Sequence, residues 1–393
     1  MYFIRLSQLM FPIFSIPFLA RSLGVSSYGE ILLIQSFAAV MGIFIEFGFN
    51  VSGPAYLAQA NTKEEVENKI RGVFSAKIII LTLVLFVFLV YSLIESKSLL
   101  FIASISTLAI IQGFSPLWIA QGTERISKIS KIEFIFRLTV FLVTFSVVPT
   151  WGTAGYLLNV TFFGLIMVFL QYKILYKDLN VSMRSIGLSI RDGISSIRED
   201  MSIAIFRIGS SAYTTGSLVI LSFFIPAGSF AIYAGIEKIF RSSLNVLSPI
   251  TEVLYPQIIK RGSKNFTIFA SFLTIFISLI LAGVLYFYGG QIIYLMLGEK
   301  FISGLNILKM LSAVVPLIAV GTIIYMYILL PSGMKNAFSF GTILAGTYTI
   351  VMIAILSDRL DVNVMPIALI GAELIIIMVG LVGILRVRKN NYE

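Results

Sequence analysis

Apolar runs of 18 or more residues recur along this chain from end to end, and that recurrence limits the possible folds more than any other feature. A run of this length crosses the hydrocarbon core of a bilayer as an α-helix. Inside hydrocarbon every backbone N–H and C=O needs an internal partner, so a chain made of such runs folds as a helix bundle. Charge points the same way: 12% of residues are charged and 58% are hydrophobic, where soluble domains carry about a quarter charged residues. No polar stretch exceeds roughly 30 residues, too few for a separate soluble domain. The expected class is an all-α polytopic membrane protein.

The chain has no Cys and no His. Disulfides, thiol chemistry, histidine metal sites and histidine bases are thereby excluded, and no metal or cofactor is expected. Lys and Arg number 29 against 19 acids. In a membrane protein such an excess belongs to cytoplasmic loops, so nucleic acid is not expected as a partner. Apolar residues begin at Met1 and "FLARSLG" offers no cleavable small-residue site, so the first helix reads as a retained span.

The pattern predicts twelve spans, at about 2–20, 31–49, 73–94, 99–120, 132–149, 153–175, 201–225, 229–256, 266–288, 305–330, 337–357 and 362–385. With both termini cytoplasmic, the inner segments hold nineteen basic residues. The outer loops hold four: Arg21, Lys97, Lys300 and Arg359. That imbalance sets the expected orientation. The remaining cations lie inside the spans. Lys77, Arg137 and Lys309 sit about one turn from a membrane surface, where snorkelling suffices. Arg207, Lys238 and Arg241 are deeper.

The segment from Lys177 to Asp200 is basic and partly amphipathic, as expected of a linker lying along the inner membrane surface. It divides the chain into a six-helix bundle over 1–176, a linker over 177–200 and a second six-helix bundle over 201–393. At an offset of 202 the halves share a register. Arg5 falls on Arg207, Ser15 on Ser217, Tyr28 on Phe230, Gln35 on Glu237 and Pro54 on Pro256. Two halves with even span counts are related by an axis along the membrane normal, with a substrate site expected at their interface.

Within "YAGIEKIFRSSLNVLSP" the charges Glu237, Lys238 and Arg241 fall within five residues. At about 1.5 Å per residue from Ser229, Arg241 lies roughly 18 Å deep. Lys238, Arg241, Asn245, Ser248 and Glu252 step by three and four, which places them on one helix face. Arg207, Ser210, Thr214 and Ser217 repeat the pattern. Arg5, Gln8 and Ser15, and then Gln35, Glu46 and Asn50, mark the matching face of the first half. A lipid-exposed charge at the bilayer centre costs at least about 2.5–3.5 kcal/mol, so these stripes are expected to line a water-filled cationic lumen. The competing reading is an ion pair between Glu237 and Arg241 that serves packing alone; it leaves Lys238, Arg207 and Arg5 without local partners. Glu46, Glu237, Glu252 and Glu373 are candidates for ion coupling, with neutral or paired acids in helix packing as the alternative.

Five stretches carry a family resemblance: "PFLARSLGVSSYGEI", "EFGFNVSGP", "SPLWIAQGTERISKI", "IYAGIEKIFRSSLNVLSPITEVLYPQI" and "MLGEKFISGLNILKMLS". Together, in this order, the chain resembles the O-antigen (Wzx-type) flippases of the polysaccharide-transport branch of the multidrug/oligosaccharidyl-lipid/polysaccharide (MOP) exporter superfamily. It departs from the family at Leu117, where an acid often precedes the tryptophan, and at Pro54, Ala55 and Tyr56, where a basic residue commonly follows the "GFN" motif.

The resemblance implies a multidrug-extruder-like fold in a bacterial cytoplasmic (inner) membrane, and a non-enzymatic task. That task is to flip an undecaprenyl-pyrophosphate-linked oligosaccharide from inner to outer leaflet by alternating access. Arg207, Lys238, Arg241 and Arg5 would attract the pyrophosphate, and Gln35, Asn50, Ser210, Thr214, Asn245 and Ser248 would line the glycan path. Membrane lipid, a polysaccharide polymerase and a chain-length regulator are the partners to consider. Two other functions remain open. A cation-coupled drug or metabolite exporter of the same superfamily would favour an acidic cavity. A membrane-embedded polymerase would need a larger outer loop than the roughly 16 residues from Gly289 to Gly304.

Overall fold

Backbone groups that water cannot reach are paired within helices. The computed structural model describes residues 2–181, 187–332, 335–356 and 363–390, and their side chains apart from those of 2–10, 12, 212, 213, 248, 335–338 and 386–390. No strand occurs among the described residues. In chain order the first eight helices are α1 (Tyr2–Glu46), α2 (Phe49–Gln59), α3 (Lys63–Ile94), α4 (Leu99–Gly113), α5 (Leu117–Gly122), α6 (Ile126–Asp178), α7 (Ile190–Ser211) and α8 (Ser217–Leu221). The others are α9 (Ala227–Leu244), α10 (Ser248–Arg261), α11 (Lys264–Phe287), α12 (Gly289–Met296), α13 (Leu305–Ser312), α14 (Val314–Thr322), α15 (Lys335–Ile355) and α16 (Val364–Asn390).

Helices α1 and α6 run for 45 and 53 residues, roughly 68 and 80 Å as straight rods, more than twice a hydrocarbon core of about 30 Å. Each is interrupted by one glycine with positive φ, Gly24 at 75° and Gly152 at 56°. Only glycine takes that conformation without steric cost. By length and apolarity, seven segments of the described residues qualify as membrane-crossing, or eight counting Ile190–Ser211 and Thr214–Leu221, bent by 48°, as one.

Two helices differ from expectation. The span predicted over 229–256 is broken between α9 and α10, so the stripe from Lys238 to Glu252 does not follow one straight face. Pro249 occupies the first turn of α10, and its ring excludes a hydrogen bond to the carbonyl four residues earlier, that of Asn245. In the first half, Phe47 (φ 50°) and Gly48 (φ 91°) separate α1 from α2. The second difference concerns the linker. Helix α7 begins at Ile190 rather than near 201, and its first turns are docked on α3. Arg71 pairs with Asp192 at 2.9 Å and Lys69 with Glu199 at 3.2 Å. Ser52 Oγ donates to the buried Asp200 at 2.8 Å, while Arg191 and Arg198 face outward. The remainder of the linker includes residues 182–186, which lie outside the described residues.

The chain divides into two compact units, Met1–Phe18 with Leu33–Ile208, and Leu19–Leu32 with Gly209–Glu393. The core of the first gathers Phe49, Ile70, Val73, Trp118, Ile119 and Leu175. In the second, Ile324, Tyr325, Ala345, Ala372 and Ile376 form one cluster and Leu254, Ile258, Ala270 and Tyr327 another. The segment 19–32 is built into the second unit by its "ARSLGVSSYG" motif. Arg21 Nη2 donates to the carbonyls of Tyr294 and Leu295, at 3.0 and 2.9 Å, closing the C-terminal end of α12. Tyr28 meets Phe301 edge-on with centroids 6.1 Å apart.

Gly29 touches α9 so closely that a Cβ there would stand 2.2 Å from the Cβ of Ala231. Gly29→Ala is expected to destabilise the detergent-solubilised protein by about 1–3 kcal/mol through overpacking, read as a lower thermal midpoint. Adding Ala231→Gly restores part of that loss. A double variant no more stable than Gly29→Ala would show that the contact does not govern the packing.

Candidate functional site

Charged side chains in apolar helices gather into two clusters, one in each unit. In the first unit Glu46 is the last residue of α1, at the break before α2. Arg207 of α7 donates from Nη2 to its Oε2 at 3.0 Å, and Asn50, the second residue of α2, donates to the same oxygen at 3.2 Å. Arg207 thus finds this partner 161 positions away in sequence.

Lys77 belongs to this cluster. It does not snorkel to the surface as expected: it is 2% exposed, and Nζ donates to the Gly113 carbonyl at 2.7 Å within electrostatic reach of Glu46. The physical reason is the end of α4 at Gly113, which leaves a carbonyl without its helical partner and places the negative end of the helix dipole there. Nothing local in the sequence marks Lys77, because its acceptor lies 36 residues on. Gln35 donates to the Tyr156 hydroxyl at 3.1 Å. Arg137 and Lys309 do lie nearer solvent, Arg137 held by Glu133 at 2.9 Å and Lys309 over the Tyr286 ring at 5.4 Å.

In the second unit the expected pair forms on α9. Arg241 Nε donates to Glu237 Oε1 at 2.7 Å, and its Nη2 donates to the Thr214 carbonyl at 3.0 Å. Thr214 lies in a π-helical turn, Ala212–Gly216, whose wider hydrogen-bond spacing interrupts the α-helical ladder. The Thr214 hydroxyl turns back to the Ser211 carbonyl at 3.2 Å, so this residue serves the cluster through its backbone rather than its side chain. Glu237 is 1% exposed. Its Oε2 and the hydroxyl of Tyr233, one turn before it, are buried without a hydrogen-bond partner among the described residues.

Lys238 is half-buried beside this pair, in electrostatic reach of both Glu237 and Arg241. Glu373 of α16, also buried, lies within reach of Arg241. The structure therefore brings together Glu46, Asn50 and Arg207 in one unit, and Thr214, Glu237, Lys238, Arg241 and Glu373 in the other. Asn245 and Glu252 are exposed beyond the break in α9 and α10, and Ser210 is half-buried on α7. The side chains of Arg5 and Ser248 lie outside the described residues.

Comparison with known proteins places these clusters in context. Proteins named "Putative O-antigen transporter" from Shigella dysenteriae and from Escherichia coli (strain K12) are each 22% identical to this chain. The first aligns over 350 residues, 86% of this chain and 87% of its own, and the second over 364 residues, 88% and 86%. Among solved structures, a lipid II flippase MurJ in an inward closed conformation superposes with a TM-score of 0.75 at 13% identity, covering 99% of this chain and 89% of that one. An inward-facing multidrug resistance MATE family transporter of the MOP superfamily gives 0.65 at 13% identity, with 98% and 97% covered. The fold is that of the MATE and MurJ transporters, and the chain is a multi-pass inner-membrane protein. Residues 3–262, well over half of the chain, match the family described as polysaccharide biosynthesis protein, and the chain belongs to that family.

Proposed function

We propose that this protein is a flippase that carries a polyprenyl-pyrophosphate-linked oligosaccharide, an O-antigen repeat unit or one like it, from the inner to the outer leaflet of the cytoplasmic membrane. The observation that carries this reading is the balance of charge within apolar helices. Glu46 is met by Lys77 and Arg207, and Glu237 by Lys238 and Arg241. Glu46 and Glu237 each face two cations, with Glu373 a further acid within reach of Arg241, so the surplus of positive charge lies in the first unit. Cations held away from bulk water suit an anionic group such as a pyrophosphate, which Arg binds through charge-assisted hydrogen bonds. The names of the O-antigen transporter relatives and the fold shared with a lipid II flippase support the same substrate class.

In this reading Arg207, Lys238, Arg241 and Arg5 receive the pyrophosphate. Gln35, Asn50, Ser210, Thr214, Asn245 and Ser248 line the glycan path, and Glu46, Glu237, Glu252 and Glu373 are the candidates for ion coupling. The chain crosses the membrane twelve times with both termini cytoplasmic. It works as two six-helix bundles, 1–176 and 201–393, joined by the linker 177–200 and rocking in alternating access. A polysaccharide polymerase and a chain-length regulator would act on the delivered unit. The role is transport rather than catalysis. A drug or metabolite exporter of the same fold is the second reading, favoured by the MATE neighbour and by the buried Glu237 and Glu373.

Orientation is open to a direct test because the chain has no Cys. Lys97→Cys and Lys300→Cys are expected to react with an impermeant maleimide in intact spheroplasts, and Lys264→Cys only after permeabilisation. The opposite pattern would invert the topology.

Transport is tested by replacing charges. Lys238→Gln and Arg241→Gln are each expected to slow flipping at least about tenfold, the scale of one lost charge-assisted hydrogen bond, while inserting normally. The readout in the native host is completed lipid-linked repeat units retained on the inner leaflet, with loss of surface polysaccharide. Full flipping in both variants, or long polymer still made on lipid when the protein is deleted, would overturn the reading.

A further inference from the structure

The first unit carries a second apolar feature that the transport clusters do not use. Phe74 of α3, Ile110 of α4, Phe114 just beyond it, and Phe169, Tyr172 and Tyr176 of α6 line a groove of about 300 Å³. Its wall is built of interlocking rings: Phe74 stands edge-on to Phe114 at 5.6 Å and to Tyr172 at 6.4 Å. Phe169 is 58% exposed, so the groove opens sideways from the helix bundle. In a bilayer an apolar opening of that kind faces lipid chains.

What distinguishes the groove from ordinary lipid-facing surface is its basic end. Lys173 follows Phe169 by four residues on the same ridge of α6, and Lys177 stands one turn further. Both are exposed. Asp178, next to Lys177 in sequence, is hydrogen-bonded to Lys128 at 2.5 Å. That bond, aided by the charges of Lys128, Arg125 and Lys177, holds its carboxyl below the usual carboxylate range. Three cations, Lys128, Arg125 and Lys177, thus act on one carboxylate at this end of α6, and Lys173 lies one turn before Lys177. Tyr172 and Tyr176 sit between the aromatic wall and these charges, the level at which amphipathic rings settle in a membrane interface.

We propose that the groove binds an anionic phospholipid, one acyl chain along the aromatic wall and the headgroup phosphate on Lys173 and Lys177. Under the orientation given above, the lipid belongs to the cytoplasmic leaflet, where anionic headgroups draw basic juxtamembrane residues. The occupant is a membrane phospholipid rather than the transported carrier lipid, since the exposed Phe169 opens the groove toward lipid and neither Glu46 nor Arg207 lines it. It has a route to the transport cluster all the same. Lys77 Nζ lies 5.9 Å from the centre of the Phe114 ring while donating to the adjacent Gly113 carbonyl. A chain in the groove would brace the wall that holds Lys77.

The chain has two Trp residues, and Trp118 packs in the same core cluster as Tyr176. A Trp151→Phe protein therefore keeps one reporter next to the groove. It would be reconstituted in phosphatidylcholine vesicles containing brominated phosphatidylglycerol or brominated phosphatidylcholine, and quenching of Trp118 measured. The anionic lipid is expected to quench at a mole fraction at least about fivefold lower, in line with attraction by two lysines near the surface.

Lys173→Gln with Lys177→Gln is expected to abolish that preference, and Ile110→Phe, which fills the groove, to weaken quenching by both lipids. Equal quenching by the two lipids, or a preference that survives the double lysine change, would overturn the proposal. Displacement of brominated phosphatidylglycerol by equimolar polyprenyl phosphate would also overturn it, by assigning the groove to the carrier lipid. Headgroup preference is read here whichever leaflet the groove faces, so the cysteine labelling above tests the orientation separately.

Discussion

A carboxylate built into an apolar helix has to be met by a cation, and the internal organisation of both units depends on that requirement. An isolated charge in hydrocarbon is costly, and removing one partner of a buried pair typically costs about 3–5 kcal/mol. Glu46 and Glu237 each satisfy the requirement differently. Glu46 recruits Arg207 across the fold from α7, so its pair fastens separate elements of the first unit. Glu237 recruits Arg241 from one turn away on α9, so its pair needs no tertiary partner and spans a single helix. The Arg241 guanidinium then reaches beyond that helix to the Thr214 carbonyl. Loss of the first pair should loosen contacts among helices of the first unit, whereas loss of Arg241 should leave Glu237 buried without its partner and release the Thr214 carbonyl.

Helix irregularity and charge placement belong to one device. A regular helix consumes its own carbonyls, and a buried cation then has only side chains to turn to. Where α4 stops at Gly113, the carbonyl released there accepts from Lys77, and where the π-helical turn interrupts the ladder, the Thr214 carbonyl accepts from Arg241. Broken helices at membrane depth are tolerated where other groups meet the freed backbone atoms. Here Lys77 and Arg241 do so, Arg241 while it also pairs with Glu237. The breaks at Phe47–Gly48 and before Pro249 fall close to these clusters in sequence and let the chain change direction there.

Much of this was legible in the sequence, for physical reasons that also mark the limit. Apolar run length fixes helix and membrane directly, because a bilayer leaves no other solution. The Glu237–Arg241 pair was readable because its partners are four residues apart on one helix. Arg207 with Glu46, and Lys77 with Gly113, were not, since their partners lie 161 and 36 positions away and helical periodicity carries no information at that range. The stripe from Lys238 to Glu252 was extended too far. A three- and four-residue period assumes an unbroken helix, and Pro249 was the residue in view that argued for a break. The docking of α7 was also hidden, since Arg71, Lys69 and Ser52, the partners of Asp192, Glu199 and Asp200, lie 121, 130 and 148 positions away.

If the protein carries an anionic lipid as proposed, the cations of the two clusters bear on how that transport is driven. Moving one negative charge outward across an inside-negative membrane is downhill by about 2.3 kcal/mol per 100 mV. A substrate anion that travels alone would draw on the whole of that potential. A substrate neutralised by cations that move with it would draw on little, and the gradient would then have to act through protons or other ions on the buried acids. In the second unit Arg241 is tethered twice, to Glu237 and to a backbone carbonyl, whereas Lys238 beside it has the longer, more adaptable stem. A tethered guanidinium makes a fixed countercharge and a flexible ammonium a mobile one. Dependence of flipping on potential should therefore rest on Lys238 more than on Arg241, since only a cation that follows the phosphate changes the charge moved per cycle.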